Sequence, residues 1–287
     1  MISPFQLHRP KSIEEACALL SQYGDQAKIL AGGSELILLL KMNLTNAAHI
    51  IDIKGVVGMD AITFEPGSQA LRVGGLVTHR NLETSPVALE HFPLLVEMEQ
   101  QVANIRVRNV GTLGGNLCFA EPHADPGTLL TAFDAGIKIR STRGERRSDI
   151  ADFFLDYYQT ALEPDEILTE IEIPKLSANW SGTYLRFCPG ERPSVAAAIL
   201  MLWADGACAD ARLALGCIGP KPIRAKEAEL ALRGKSADEI EAEALDVGTK
   251  ISDLCDPPPD IWGSVEYKRQ IVKTLVSRGL KKCVRDS

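Results

Sequence analysis

Glycine sets the tightest constraint on this chain. From Val107 to Pro126 it reads V-R-N-V-G-T-L-G-G-N-L-C-F-A-E-P-H-A-D-P, with Gly111, Gly114 and Gly115 beside Thr112 and Asn116, and Asp125 further on. A bare glycine pair lets backbone approach another group closely and offer it N–H donors. Thr112 and Asn116 add side-chain donors, and the Asp125 carboxylate can accept from sugar or ribityl hydroxyls. The stretch reads as a cradle for a phosphorylated, polyol-bearing cofactor. Its other reading is a glycine-rich turn between two strands.

A second glycine stretch lies upstream. Lys28 to Leu36 reads K-I-L-A-G-G-S-E-L, an apolar run into Gly32 and Gly33, then Ser34, Glu35 and a new apolar run to Leu40. That order predicts strand, tight turn and helix start, a geometry suited to phosphate. The Lys-Ser/Thr pair of a P-loop and the spacing of a G-x-G-x-x-G fingerprint are both missing.

The chain has 287 residues, 45% hydrophobic and 24% charged, with a net charge of -7. This is enough for one large or two smaller globular domains and gives no electrostatic case for nucleic acid. No apolar run reaches membrane-spanning length and no signal segment opens the chain, which predicts a cytoplasmic protein without membrane insertion. The seven cysteines and five histidines are scattered, without C-x-x-C or paired-histidine spacing. Neither a disulfide framework nor a metal site on this chain is predicted.

Ser12 and Glu15 read as a capping box before a helix with apolar positions Ile13, Ala16, Cys17 and Leu20, closed by Gly24. Strands are expected at 27–31, 49–53, 71–77, 136–141 and 167–173; the tandem Gly74 and Gly75 read as structural, marking a bulge or close backbone packing. A helix over 86–103 should break at Pro93. A polar turn is expected at 142–147 and an amphipathic helix at 149–158. After a linker at 175–182 the pattern changes to three strands (from Tyr184, Ser194 and Ala211) and then helices over 223–233, 238–254 and 265–284, an α+β arrangement with helices on one face. This places the domain boundary near residue 177, giving domains 1–177 and 178–287.

These motifs resemble the medium, FAD-binding subunit of the molybdenum hydroxylases, the family of aerobic carbon monoxide dehydrogenase and xanthine dehydrogenase. The resemblance rests on A-G-G-S-E (Ala31 to Glu35), T-L-G-G-N (Thr112 to Asn116) with Asp125, P-D-E-I-L-x-x-I-x-I-P (Pro164 to Pro174), L-A-L-G-C-I-G-P-K-P-I-R-A (Leu213 to Ala225), and the closing helix with Tyr267 and Arg269. They cover nearly the whole chain in order. The resemblance implies an α+β fold: a vanillyl-alcohol-oxidase-like (PCMH-type) FAD domain of two subdomains, then a smaller C-terminal domain of antiparallel strands and helices. It implies that Ile29, Leu30, Ala31 and Gly32, continuing through Gly33, Ser34, Glu35 and Leu36, wrap the FAD pyrophosphate. Thr112, Leu113, Gly114, Gly115 and Asn116 would meet the same cofactor. Asp125 would bind its hydroxyls, Val102 would be an apolar neighbour, and Leu168 would pack near the isoalloxazine. Arg186 stands where relatives carry Lys, and forks its donors. No histidine lies in the first glycine loop, where distant flavin oxidases attach FAD, so noncovalent FAD is expected.

The implied function is electron transfer with no catalytic residue on this chain. A large subunit with molybdopterin would oxidise the substrate, a small subunit with 2Fe–2S clusters would relay electrons, and FAD here would pass them to NAD, a quinone, oxygen or another acceptor. The implied assembly is a dimer of heterotrimers. The cysteine-rich insert of the hydroxybenzoyl-CoA reductase flavin subunit is missing, which argues against that activity. The alternative is a self-sufficient FAD-dependent oxidoreductase with its own substrate site, using Tyr157, Tyr158, His123 or Glu121. Those tyrosines read more simply as packing residues on a helix, and His123 and Glu121 as loop residues beside the cofactor, with no pairing visible. A flavin-free scaffold has both glycine stretches and Asp125 against it. The run Pro257-Pro258-Pro259 with Trp262 reads as a rigid connection between helices, with a subunit contact as its other reading.

Overall fold

The computed structural model describes residues 2–286. Ser12 caps the helix Ile13–Tyr23 by accepting from Glu15 N–H at 3.2 Å, while the Glu15 carboxylate reaches back to Lys11 N–H at 2.8 Å. The helix buries Ala16, Cys17 and Leu20 and stops at Gly24, with φ of 51°. Strand Ala27–Leu30 then pairs in parallel with His49–Asp52, which also runs parallel to Gln6–His8. A parallel pair needs a crossover, here the first glycine loop and the helix Leu36–Lys41.

The second sheet has five strands and is antiparallel throughout: Ile62–Glu65, Ala70–Gly74, Ile167–Pro174, Gly136–Ser141 and Gly144–Asp149, in that spatial order. Helices between residues 79 and 132 share its core through Leu82, Leu95, Met98, Leu113 and Leu129. The expected break at Pro93 separates Pro86–His91 from Pro93–Glu99. Residues 175–179 lead into a third, four-stranded antiparallel sheet of Trp180–Phe187, Val195–Ala204, Ala207–Gly216 and Ile223–Arg224. Its second strand is buried on both faces. Ala196, Ala198 and Leu200 join the core of the second sheet; Val195, Ala197, Ile199 and Met201 face the helices Ala237–Leu254 and Val265–Arg285. Two-sided burial explains the unbroken apolar run there. Ile199→Ala should destabilise the chain by about 2–5 kcal/mol through the cavity it opens, read as a lowered urea midpoint.

Four sequence expectations are corrected. The polar stretch 142–147 contains the start of an edge strand, Gly144–Asp149, rather than a turn throughout. Its Glu145, Arg146 and Arg147 are exposed charges of the kind that protect a sheet edge. The helix over 149–158 is only Ile150–Phe153, followed by a hairpin of Phe154–Asp156 and Gln159–Thr160. Tyr158 turns that hairpin with φ of 55°. The helix expected from residue 223 starts at Lys226, because Ile223 and Arg224 pair with the preceding strand. The second glycine stretch is not a turn between strands. Thr112 caps a helix, Leu113–Phe119, that carries Gly114 and Gly115 in its first turn.

Among the described residues no helix is long and apolar enough to cross a membrane.

Candidate cofactor-binding cleft

The two glycine stretches meet. A side chain on Gly32 would collide with the Val110 carbonyl, and one on Gly111 would touch Ser34 Oγ and the His79 ring, both at 3.4 Å. Gly114 packs so closely that a Cβ there would lie 2.5 Å from Gly75 O, and one on Gly75 would lie 2.6 Å from Leu168 O. The tandem glycine of the second sheet is thus a packing device, the second of the two readings its sequence allows. It brings the helix Leu113–Phe119 onto the strand that carries Leu168.

Between these loops lies a cleft of about 530 Å³. Ile29, Ala31, Gly32, Gly33, Ser34, Glu35 and Leu36 line it from the first stretch; Thr112, Gly114, Gly115 and Asn116 from the second; Val102, Asp125 and Leu168 complete the expected set. Three expected residues do not line it. Leu30 packs against the small cluster of Leu40, Ala47 and Ile50, and Leu113 is fully buried in the main core. Arg186 stands behind Asp125, with Nη1 donating to Oδ2 at 2.7 Å.

The lining fits a polar, hydroxyl-rich ligand on two observations. Ser34 and Asn116 both line the cleft, and their Oγ and Oδ1 are buried without a hydrogen-bond partner. Such groups are rare in a finished interior and call for a partner. Gly33, with φ of 86°, turns the first stretch in the left-handed conformation that glycine supplies. Thr112 Oγ1 accepts from Gly115 N–H at 3.0 Å and fixes the first turn of the second.

Asp125 is almost completely buried. Tyr184 Oη donates to its Oδ1 at 2.7 Å and Arg186 to its Oδ2. Burial pushes its carboxyl up to about 6, against the opposing pull of Arg186 and Tyr184. Each oxygen keeps a lone pair for a further donor.

Sequence reasoning set Glu121 and His123 on a loop beside the cofactor but missed Arg192 and the pairing that joins these groups into a polar wall at the other side of the cleft. Glu121, His123, Tyr158 and Arg192 all line it. Tyr158 Oη donates to Glu121 Oε2 at 2.9 Å, and His123 Nδ1 lies 3.1 Å from Glu121 Oε1. Arg192 pairs with Glu121 and, at 3.2 Å, with Glu35, tying the C-terminal domain across both glycine stretches. Burial pushes the Glu121 carboxyl up, but hydrogen bonds from His123, the Arg192 charge and the Tyr158 hydroxyl win and hold it at about 2. His79 also lines the cleft, its Nδ1 2.7 Å from the buried Glu99. Tyr158 is therefore not a helix packing residue, and His123, on a loop beside the cleft as expected, is paired with Glu121. The signal available in sequence was the density of polar groups after Asn116; their partners lie far along the chain.

Comparison with known proteins agrees with this geometry. The model of the FAD binding domain in molybdopterin dehydrogenase matches residues 3–176, and that of the CO dehydrogenase flavoprotein C-terminal domain matches residues 190–283. The chain is 32% identical over 284 residues to the carbon monoxide dehydrogenase medium chain of Hydrogenophaga pseudoflava, covering 98% of this chain and 97% of that one. It is 32% identical over 270 residues to the nicotine 6-hydroxylase medium subunit of Paenarthrobacter nicotinovorans, covering 94% and 93%. The crystal structure of quinoline 2-oxidoreductase from Pseudomonas putida 86 superposes with a TM-score of 0.93 at 29% identity, covering 100% of this chain and 99% of that one. A cleft built by two glycine stretches, inside matches that run nearly end to end, places this chain among the FAD-binding medium subunits of the molybdenum hydroxylases, an oxidoreductase family.

Proposed function

We propose that this chain is the electron-transfer subunit of a molybdenum hydroxylase complex. It takes electrons from 2Fe–2S clusters on a small partner subunit and passes them to an external acceptor, while a large molybdopterin subunit oxidises the substrate. The observation that carries the reading is the cleft between two closely packed glycine stretches, lined by Ser34 and Asn116, whose Oγ and Oδ1 are buried and unpartnered. FAD, when bound, supplies reversible electron exchange, and the protein supplies position and field.

The chain's own residues divide that work. Ser34, Thr112, Asn116 and the glycine backbones hold the cofactor's polar spine. Asp125 accepts from its hydroxyls, and Arg186 and Tyr184 keep that carboxylate oriented. Val102 and Leu168 give apolar wall. Relatives named for carbon monoxide and for nicotine are equally similar to this chain, so similarity singles out no substrate; in the proposed complex the large subunit chooses it.

Two measurements test the proposal. Cofactor released from the purified chain should be FAD; a folded chain that neither carries nor binds FAD sinks the assignment. In the reconstituted complex, substrate should bleach the flavin only when both partner subunits are present. Bleaching by the isolated chain would instead establish the self-sufficient oxidoreductase.

A further inference from the structure

Behind the polar wall sits an ion network, built around a buried lysine, that cofactor contact alone does not require. Lys268, near the start of helix Val265–Arg285, has no exposed surface. It donates to Pro258 O at 2.8 Å and pairs with the Asp260 carboxylate. Asp260 also accepts from Trp262 N–H at 2.8 Å. Its Oδ2 lies 3.3 Å from His123 Nε2, within ion-pair reach but off hydrogen-bond alignment. The Trp262 ring packs on His123 with centroids 4.5 Å apart. His123 then meets Glu121, which meets Tyr158 and Arg192 in the cleft wall.

An ammonium is expensive to bury, and an apolar residue of the same volume would pack at least as well at position 268. The charge makes sense as a device for placing Asp260. Three consecutive prolines stiffen the approach, so the Pro258 carbonyl and the Asp260 carboxylate reach one ammonium from a chain with little freedom of its own. The segment at 257–262 is thus more than a connection between helices, because it supports one wall of the cleft.

Resting on the reading of the cleft as an FAD site, we propose that Lys268 and Asp260 are positioning residues: the pair clamps His123, and through it Glu121, in the cleft wall and sets the local charge that the flavin experiences. Neither residue lines the cleft, so both act through His123. Reduction of a bound flavin adds negative charge to the cleft. A carboxylate nearby opposes that change and an ammonium favours it. Asp260→Asn should therefore raise the flavin midpoint potential, Lys268→Met should lower it, and the double variant should return close to the unaltered value. Both single variants should also weaken FAD binding several-fold by loosening His123.

The test is a redox titration of the full-length, FAD-loaded chain with reference dyes, together with the FAD dissociation constant of each variant. Shifts of opposite sign support the pair as a charge-setting device. A role confined to structure would weaken binding without opposing shifts. If Lys268→Met does not fold, Lys268→Arg keeps the charge and should leave the potential in place while Asp260→Asn raises it. An unchanged potential in folded, FAD-bearing Asp260→Asn overturns the proposal in either case. Failure of the unaltered chain to bind FAD refutes the cleft reading, whereas tight binding with indistinguishable variants refutes only the clamp.

Discussion

Gly115→Val yields a folded chain that no longer retains FAD. Gly115 lies inside the helix Leu113–Phe119 and is not among the glycines with positive φ, so a side chain there meets no backbone strain. Valine is also a better helix former than glycine. The obstruction is local. The new Cβ would lie 2.8 Å from Thr112 Oγ1 and 3.8 Å from the Ala31 Cβ, so valine wedges into the space between the two glycine stretches. It pushes aside the hydroxyl that caps the helix, at a cost of about 1 kcal/mol to the fold. A cofactor that needs both backbones then loses close approach to each. The expected loss of affinity is at least about a hundredfold, equivalent to about 3 kcal/mol. Visible absorbance per chain and the FAD dissociation constant measure it, with circular dichroism as the check on folding. Full occupancy in folded Gly115→Val refutes the cradle. Gly114→Val is the contrasting case: its Cβ meets the Gly75 backbone at 2.5 Å, so that variant should fail to fold rather than fail to bind.

The contrast between these two glycines shows what sequence could and could not carry. The glycine stretches are local chemistry, and spacing and neighbours were enough to single out Gly32, Ser34, Gly115 and Asn116, which the fold brings to one cleft. Which glycines serve the ligand and which serve packing depends on Gly75 and Val110, residues brought close only by the fold. Asp125 was legible by type, but its partners Tyr184 and Arg186 come from a strand about 60 residues later. Glu121 and Arg192 are similarly remote, 71 residues apart. No periodicity encodes such pairs. The aromatic hairpin failed for a different reason. Phe153, Phe154, Tyr157 and Tyr158 repeat at helical spacing, yet they are also strong strand formers, and the turn at Tyr158 decided for the hairpin. The antiparallel C-terminal sheet was legible because its two long strands flank Asp205-Gly206, a turn signal that needs no distant partner.

FAD affinity should fall as pH is lowered through about 6, because of Asp125. Burial, opposed by Arg186 and Tyr184, raises its carboxyl from the ordinary 3.8 to about 6 in the FAD-free chain. The sign follows from proton counting. Between those two values the FAD-free fold binds more protons at Asp125 than the unfolded chain does, so this group's contribution to folding is favourable at low pH and is lost as pH rises through about 6. Cofactor hydroxyls donating to Asp125 favour its charged form and lower its value again. Binding therefore releases a proton below about pH 6. In that range affinity drops by at most about tenfold per pH unit as the solution is acidified, and above it the profile is flat. Asp125→Asn removes the titration and should flatten the whole profile at a weaker affinity, since the amide offers one acceptor atom where the carboxylate offered two and leaves the donor of either Tyr184 or Arg186 unmatched. Dissociation constants from about pH 5 to about pH 7.5 for the two chains decide the matter. A wild-type profile as flat as that of Asp125→Asn would mean that the carboxylate takes no cofactor hydroxyl. It would then serve the interface between the two domains through Tyr184 and Arg186 alone.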